Sequence, residues 1–257
     1  MTTDTDTQFT FNIVIPARYA SSRFPGKPVA LIDGVPMVVR VLQRCLGCGA
    51  QSVIVATDDE RIRDVCLQHG ATVAMTRTDH INGTDRLSEV AEQMNWADNE
   101  IVVNVQGDEP LIPVAMVRQV GENLAANPEA SIAKLATPID SAEEFADPTA
   151  VKVVFDHRGL ALYFSRSAIP FDRDGSTATR LGYRLIGMYA YRAGFLRRYS
   201  DMQPVAIEHL EMLEQLRALY YGERIHVAVA KETPGQGVDT PEQLAAVERI
   251  VQAGKAL

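Results

Sequence analysis

The chain has 257 residues and a mass of 28.2 kDa, enough for one large α/β domain that needs no disulfide or metal to close its core. Hydrophobic residues make up 46% and charged residues 23%, ordinary for a soluble globular protein. That excludes disorder, collagen and a coiled coil, and no apolar run approaches the ~18 residues of a membrane span. The net charge of −8 and the pI of about 5.2 argue against a nonspecific nucleic-acid binder, so no nucleic-acid partner and no membrane insertion are expected.

The polar, acidic start lacks the basic and apolar segments of a signal peptide, which predicts a disordered tail over 1–10 and a single domain over 11–257. Three cysteines, Cys45, Cys48 and Cys66, without a leader fit a reducing cytoplasm. Cys45 and Cys48 have CxxC spacing. They fall near the end of an expected helix, whereas redox chemistry favours a helix start, so the pair reads as core rather than redox or metal.

Short Val- and Ile-rich runs at 11–16, 52–56, 72–75 and 101–105 predict strands buried on both faces. Between them, 36–48, 59–69, 84–95 and 113–127 carry helical spacing, with Pro at the start or Gly past the end of several. Strand alternating with helix implies a mostly parallel sheet. The second half predicts strands at 131–139, 151–156, 161–166 and 184–191, an antiparallel or mixed extension of that sheet. A polar loop at 172–180, a helix at 206–221, a strand at 224–230 and a helix at 241–253 complete the reading.

Five constellations stand out. No acid occurs from Thr7 to Ile32, and the loop after the first strand carries Arg18, Ser22, Gly26 and Lys27. Such a loop at the carboxyl end of a buried strand suits a polyphosphate, although it is not a Walker A loop and also fits a solvated basic turn. Gln106-Gly-Asp108-Glu109 follows the 101–105 strand. Its sparse hard oxygens suit Mg²⁺, and an ordinary turn fits equally. Asp239 precedes a capping box of Thr240 and Gln243. It either favours the helix start electrostatically or joins Asp108 at a metal. Arg86 sits in a helix first turn, where cations are disfavoured, marking either function or an exposed arginine. On the 206–221 helix, Glu208, Glu211 and Gln215 share a face that also fits plain solvation.

Taken in order, IPARYASSRFPGKP, VATDD, MTRTDHINGTDRL, VNVQGDEPLI, ALYFSRSAIPFDRD, YAYRAGFLRRY, EHLEMLEQLRALYYG and GVDTPE closely resemble the 3-deoxy-manno-octulosonate cytidylyltransferase (CMP-Kdo synthetase) family from Phe11 to about Arg249. The resemblance implies a nucleotide-diphosphosugar transferase fold, a Rossmann-like, mostly parallel α/β sheet with a mixed-strand dimerisation subregion. It implies transfer of CMP from CTP to 3-deoxy-D-manno-octulosonate (Kdo) with Mg²⁺, for lipopolysaccharide synthesis in the cytoplasm, by a homodimer. Arg18, Ser22, Lys27 and Gln106 would hold the nucleotide, with Arg18, Lys27 and Asp108 catalytic. Asp108 and Asp239 would ligate the metal, and Arg86, Arg166, Tyr189, Glu211 and Gln215 would line the sugar site, with Glu208 and Glu214 as alternatives for the roles of Glu211 and Gln215. The family carries a histidine at the position of Leu185, which bears on the choice between Kdo and a close relative. Rival readings are a synthetase for another acid sugar, a glycosyltransferase on a similar sheet, and a noncatalytic nucleotide-binding module.

Overall fold

Strand β1 (Asn12–Ala17) is buried along its whole length, because its Val and Ile side chains alternate between two helical layers. The computed structural model describes residues 9–20, 24–80, 82–174 and 182–254. After β1 comes a 3-10 turn (Lys27–Val29), then a small hairpin, β2 (Leu31–Ile32) and β3 (Val35–Pro36), that leads into α1 (Met37–Leu46). The alternation continues through β4 (Ser52–Thr57), α2 (Glu60–Gln68), β5 (Thr72–Met75), α3 (Gly83–Gln93), β6 (Ile101–Asn104) and α4 (Val114–Ala126). The second half adds β7 (Ile132–Pro138), a short α5 (Ala142–Ala146), β8 (Lys152–Phe155), β9 (Ala161–Ser165) and β10 (Tyr183–Arg192). It ends with α6 (Ala193–Asp201), α7 (Ala206–Glu211), α8 (Gln215–Tyr220), β11 (Ile225–Val229) and α9 (Pro241–Gln252).

Among the described residues the main sheet runs β11-β7-β10-β6-β1-β4-β5, with β8 and β9 attached beside β10. β1, β4, β5 and β6 are parallel, as the alternating pattern predicts. β10 runs antiparallel to β6, β7 and β8. Ile13 and Ile15 meet Val39 of α1, Ile62 of α2 and Val120 of α4 on one face. Val14 meets Leu87 of α3, Phe195 of α6 and Leu216 of α8 on the other. Each such side chain contributes about 1.5–3 kcal/mol by leaving water. α9 closes the molecule by setting Val247 against Ile32 and Met37.

One expectation changes, that of the 206–221 helix, and α6 is not among the expected elements. Phe9, inside the expected tail, stacks on Phe11 at 4.9 Å; residues 1–8 of that tail lie outside the described residues. α6 follows β10 with no Gly, Pro or Asn turn between them, so no punctuation signals it. An aromatic ladder, Tyr189–Tyr191–Phe195–Tyr199, with centroids 5.4, 6.0 and 5.7 Å apart, runs across that junction. Finally, the single helix expected over 206–221 is two helices. Met212 takes a left-handed conformation (φ 52°) and ends α7, and α8 restarts after Glu214. The break leaves Leu210 and Met212 exposed while Leu213 and Leu216 turn inward. Most of the polar loop expected over 172–180 lies outside the described residues.

Candidate functional site

The carboxyl ends of β1 and β6 open into a cavity of about 440 Å³ lined by Arg18, Lys27, Gln106, Gly107, Asp108 and Asp239. Local chemistry brings each element there. Gly26 is left-handed (φ 73°), and a Cβ on it would stand 3.1 Å from the Tyr19 hydroxyl, so glycine alone turns the chain to present Lys27 without strain. At Gly107 a Cβ would stand 2.9 Å from the Pro16 carbonyl, so this glycine lets the turn after β6 lie against the end of β1. The Val238 N–H donates to the Asp108 carbonyl at 2.9 Å and ties the segment before α9 to that turn.

Thr240, not Asp239, is the N-cap of α9, and Thr240 and Gln243 form the reciprocal capping box. Asp239 instead lines the cavity. Lys27 Nζ donates to Asp108 Oδ2 at 2.5 Å and to Asp239 Oδ1 at 3.1 Å. Two acids 131 positions apart in sequence thus share one cation. Glu109 sits behind them; burial, Asp108 and Asp239 push its carboxyl up to about 7, with Lys27 opposing. Arg18 lies across the cavity. Burial and then Arg86 lower its pKa, and its Nη2 is buried with no partner among the described residues. Ser22 lies outside the described residues.

A second cavity, also about 440 Å³, is lined by Tyr189, Glu208, Glu214, Gln215 and Arg217 and shares Asn82 with the first. The Tyr189 hydroxyl donates to Gln215 Oε1 at 3.2 Å. Of the five residues expected at a sugar site, only Tyr189 and Gln215 line this cavity. Arg86 is wholly buried rather than an exposed first-turn arginine: it pairs with Asp58 at 3.1 Å and donates to the Thr76 hydroxyl. Arg166 and Glu211 hold each other. Glu211 accepts from the Ser165 hydroxyl at 2.6 Å and the Arg166 N–H at 2.8 Å, while Arg166 Nε donates to the Glu211 carbonyl. Glu208 is spent on a bidentate pair with Arg217, at 2.7 and 2.6 Å.

Sequence reasoning missed Asn82 and Lys134. Asn82 is the N-cap of α3, accepting from the Asp85 N–H at 2.8 Å, and a helix-start signal could have found it. Lys134 is a lone charge inside the apolar run of β7, and that anomaly was visible. Cys45, Cys48 and Cys66 are free and buried. Burial raises all three thiols, Cys48 and Cys66 to about 11, as expected of core residues.

Residues 12–225 match the cytidylyltransferase family. The chain belongs to the cytidylyltransferase family. A 3-deoxy-manno-octulosonate cytidylyltransferase of Pectobacterium carotovorum subsp. carotovorum (strain PC1) is 55% identical to this cytidylyltransferase over 247 residues, covering 94% of this chain and 98% of that protein. The structure of a CMP:2-keto-3-deoxy-manno-octonic acid synthetase complexed with CTP superposes with a TM-score of 0.89 at 42% identity, over 95% of this chain and 99% of the other. A cytidylyltransferase from Leptospira borgpetersenii serovar Hardjo-bovis (strain JB197), with a TM-score of 0.64 at 15% identity over 95% and 87% of the two chains, shares the fold. The mixed, mostly parallel α/β sheet expected from the sequence is the sheet of this family.

Proposed function

We propose that this cytidylyltransferase transfers CMP from CTP to the anomeric hydroxyl of Kdo, giving CMP-Kdo and pyrophosphate. The observation that carries the reading is the convergence of Asp108 and Asp239 on one cation, in a cavity that also holds Arg18 and Gln106 and that adjoins, through Asn82, a second cavity of matching size. A 55% identical relative named for the same transfer supports it. So does the fold shared with a synthetase that binds CTP.

Phosphoryl transfer is mostly positioning and neutralisation of charge. Arg18 and Lys27 bind the triphosphate and stabilise the departing pyrophosphate, and the Nη2 of Arg18, without a partner among the described residues, is an available donor for a phosphate oxygen. Gln106 holds the nucleotide, with Ser22 assisting from the same loop as Arg18. Asp108 and Asp239 would hold one Mg²⁺. They fit it because both are half-exposed carboxylates already sharing a cation, and a site with few protein oxygens leaves room for water and phosphate. When bound, the ion supplies positive charge to the phosphates. Tyr189 and Gln215 orient the sugar. Glu211 positions Arg166, and Arg86 sets the charge around Arg18.

The reading extends to a single nucleotidyltransferase domain acting in the cytoplasm, in lipopolysaccharide synthesis, as a homodimer. No helix among the described residues is long and apolar enough to cross a membrane. The test is pyrophosphate release with CTP and Kdo together and with each alone. Release requires both substrates; release from CTP alone, or none at all, would contradict the reading.

A further inference from the structure

Strand β7 buries a charge that the chemistry above does not use. Lys134 is wholly buried, its Nζ lies 3.0 Å from the centroid of the Tyr189 ring, and no hydrogen-bond acceptor among the described residues reaches that nitrogen. Unmatched ammonium donors in a dry interior are costly, and such a cost persists where a site requires it. Tyr189 is the cross-strand neighbour of Lys134 on β10, and its ring lines the second cavity with Glu214 and Gln215.

Lys134 and Glu214 act on each other. Burial raises the Glu214 carboxyl and Lys134 pulls it back. Burial lowers the Lys134 amine well below its ordinary value and Glu214 opposes that. The other groups facing Glu214 are Thr84, whose hydroxyl donates to it, and the acids Asp85 and Glu208, which push its carboxyl up. Arg18, Tyr189, Tyr191 and Tyr199 also feel its charge. Among these groups Lys134 is the cation with the largest hold on the carboxylate.

We propose that Lys134 is a positioning residue for the acceptor sugar: behind the Tyr189 ring, its ammonium is the counter-charge that keeps Glu214 an acceptor of sugar hydroxyls at the cavity wall. This rests on reading the second cavity as the sugar site. A polyhydroxylated acid sugar brings many O–H donors, and an ionised carboxylate only accepts, so the charge state of Glu214 decides which hydroxyl pattern fits. Lys134 contributes without touching substrate.

The test uses Lys134→Met and Lys134→Arg, measuring kcat and KM for each substrate across pH, with melting temperature. In Lys134→Met, kcat/KM for Kdo falls on the order of ten-fold or more at neutral pH, while KM for CTP stays within about two-fold. The acid limb of the Kdo profile moves to higher pH, because Glu214 without its counter-charge keeps its proton longer. Lys134→Arg retains the wild-type limb. The melting temperature of Lys134→Met falls, since removing the counter-charge leaves the Glu214 carboxyl buried without its partner, and the kinetics are read below the transition.

A wild-type Kdo profile in Lys134→Met overturns the proposal. So do equal losses for both substrates with an unmoved limb, the signature of a purely structural lysine. If Lys134→Met does not fold, Glu214→Gln decides: loss confined to Kdo supports the proposal, and a wild-type Kdo KM overturns it. Wild-type protein that releases no pyrophosphate from CTP and Kdo overturns the sugar reading itself, and the role of Lys134 with it.

Discussion

Lys27 makes two ion pairs at once, with Asp108 and Asp239, and this sets what its removal does. Lys27→Ala takes a point charge from the proposed triphosphate cradle and leaves two carboxylates facing each other. KM for CTP should rise about ten-fold or more while KM for Kdo changes little. Steady-state kinetics with each substrate varied in turn check this, and equal weakening of both would count against the assignment. Arg86 shows the limit of local rules at this scale. Its first-turn position marks it as unusual, but the reason is Asp58 and Thr76, two side chains from other loops. Nothing in the residues around Arg86 says that the fold brings those partners to it. Lys134 is the opposite case, because a charge inside IAKLATP is anomalous by composition alone.

Elements read well where periodicity and punctuation agree. The parallel half has Val-rich strands, helices with clear starts or ends, and loops at strand carboxyl ends, so its sheet and the Arg18, Lys27 and Asp108 loops follow from pattern. Gly107 is the tightest of these joints. Gly107→Ala places a methyl 2.9 Å from the Pro16 carbonyl, a backbone atom that cannot rotate away. It should cost about 1–3 kcal/mol of stability and lower turnover, because the Asp108 turn must lift off β1. Urea unfolding together with kcat tests it, and an unchanged midpoint would show that the turn is loose. The second half reads less well for a physical reason. α6 grows out of β10 without a turn residue, and α7 ends at a methionine in the left-handed region, where glycine or asparagine is the usual signal. The interactions that decide both, the aromatic ladder and the Glu208–Arg217 pair, connect positions on different elements, which a window along the chain does not see.

At the scale of the molecule, large apolar side chains remain exposed beside the added strands. Leu162 and Tyr163 lie on β9, Leu210 and Met212 at the end of α7, and Tyr220 at the end of α8. A self-association surface of this composition agrees with the proposed homodimer. Sedimentation at micromolar protein should give a dimer, Leu162→Asp with Leu210→Asp should shift it toward monomer, and a wild-type monomer would remove the dimer from the account. The site itself is a whole-molecule product, since Asp108 follows the sixth strand and Asp239 precedes the last helix. The most direct test of the central claim is kcat as a function of Mg²⁺ concentration for Asp108→Asn, Asp239→Asn and the double variant. Each single variant should lose about 10²–10³ in rate, and the double should be little worse than either, because both acids serve one cation. Asp239→Asn turning over like wild type at low Mg²⁺, or full additivity in the double, would contradict it.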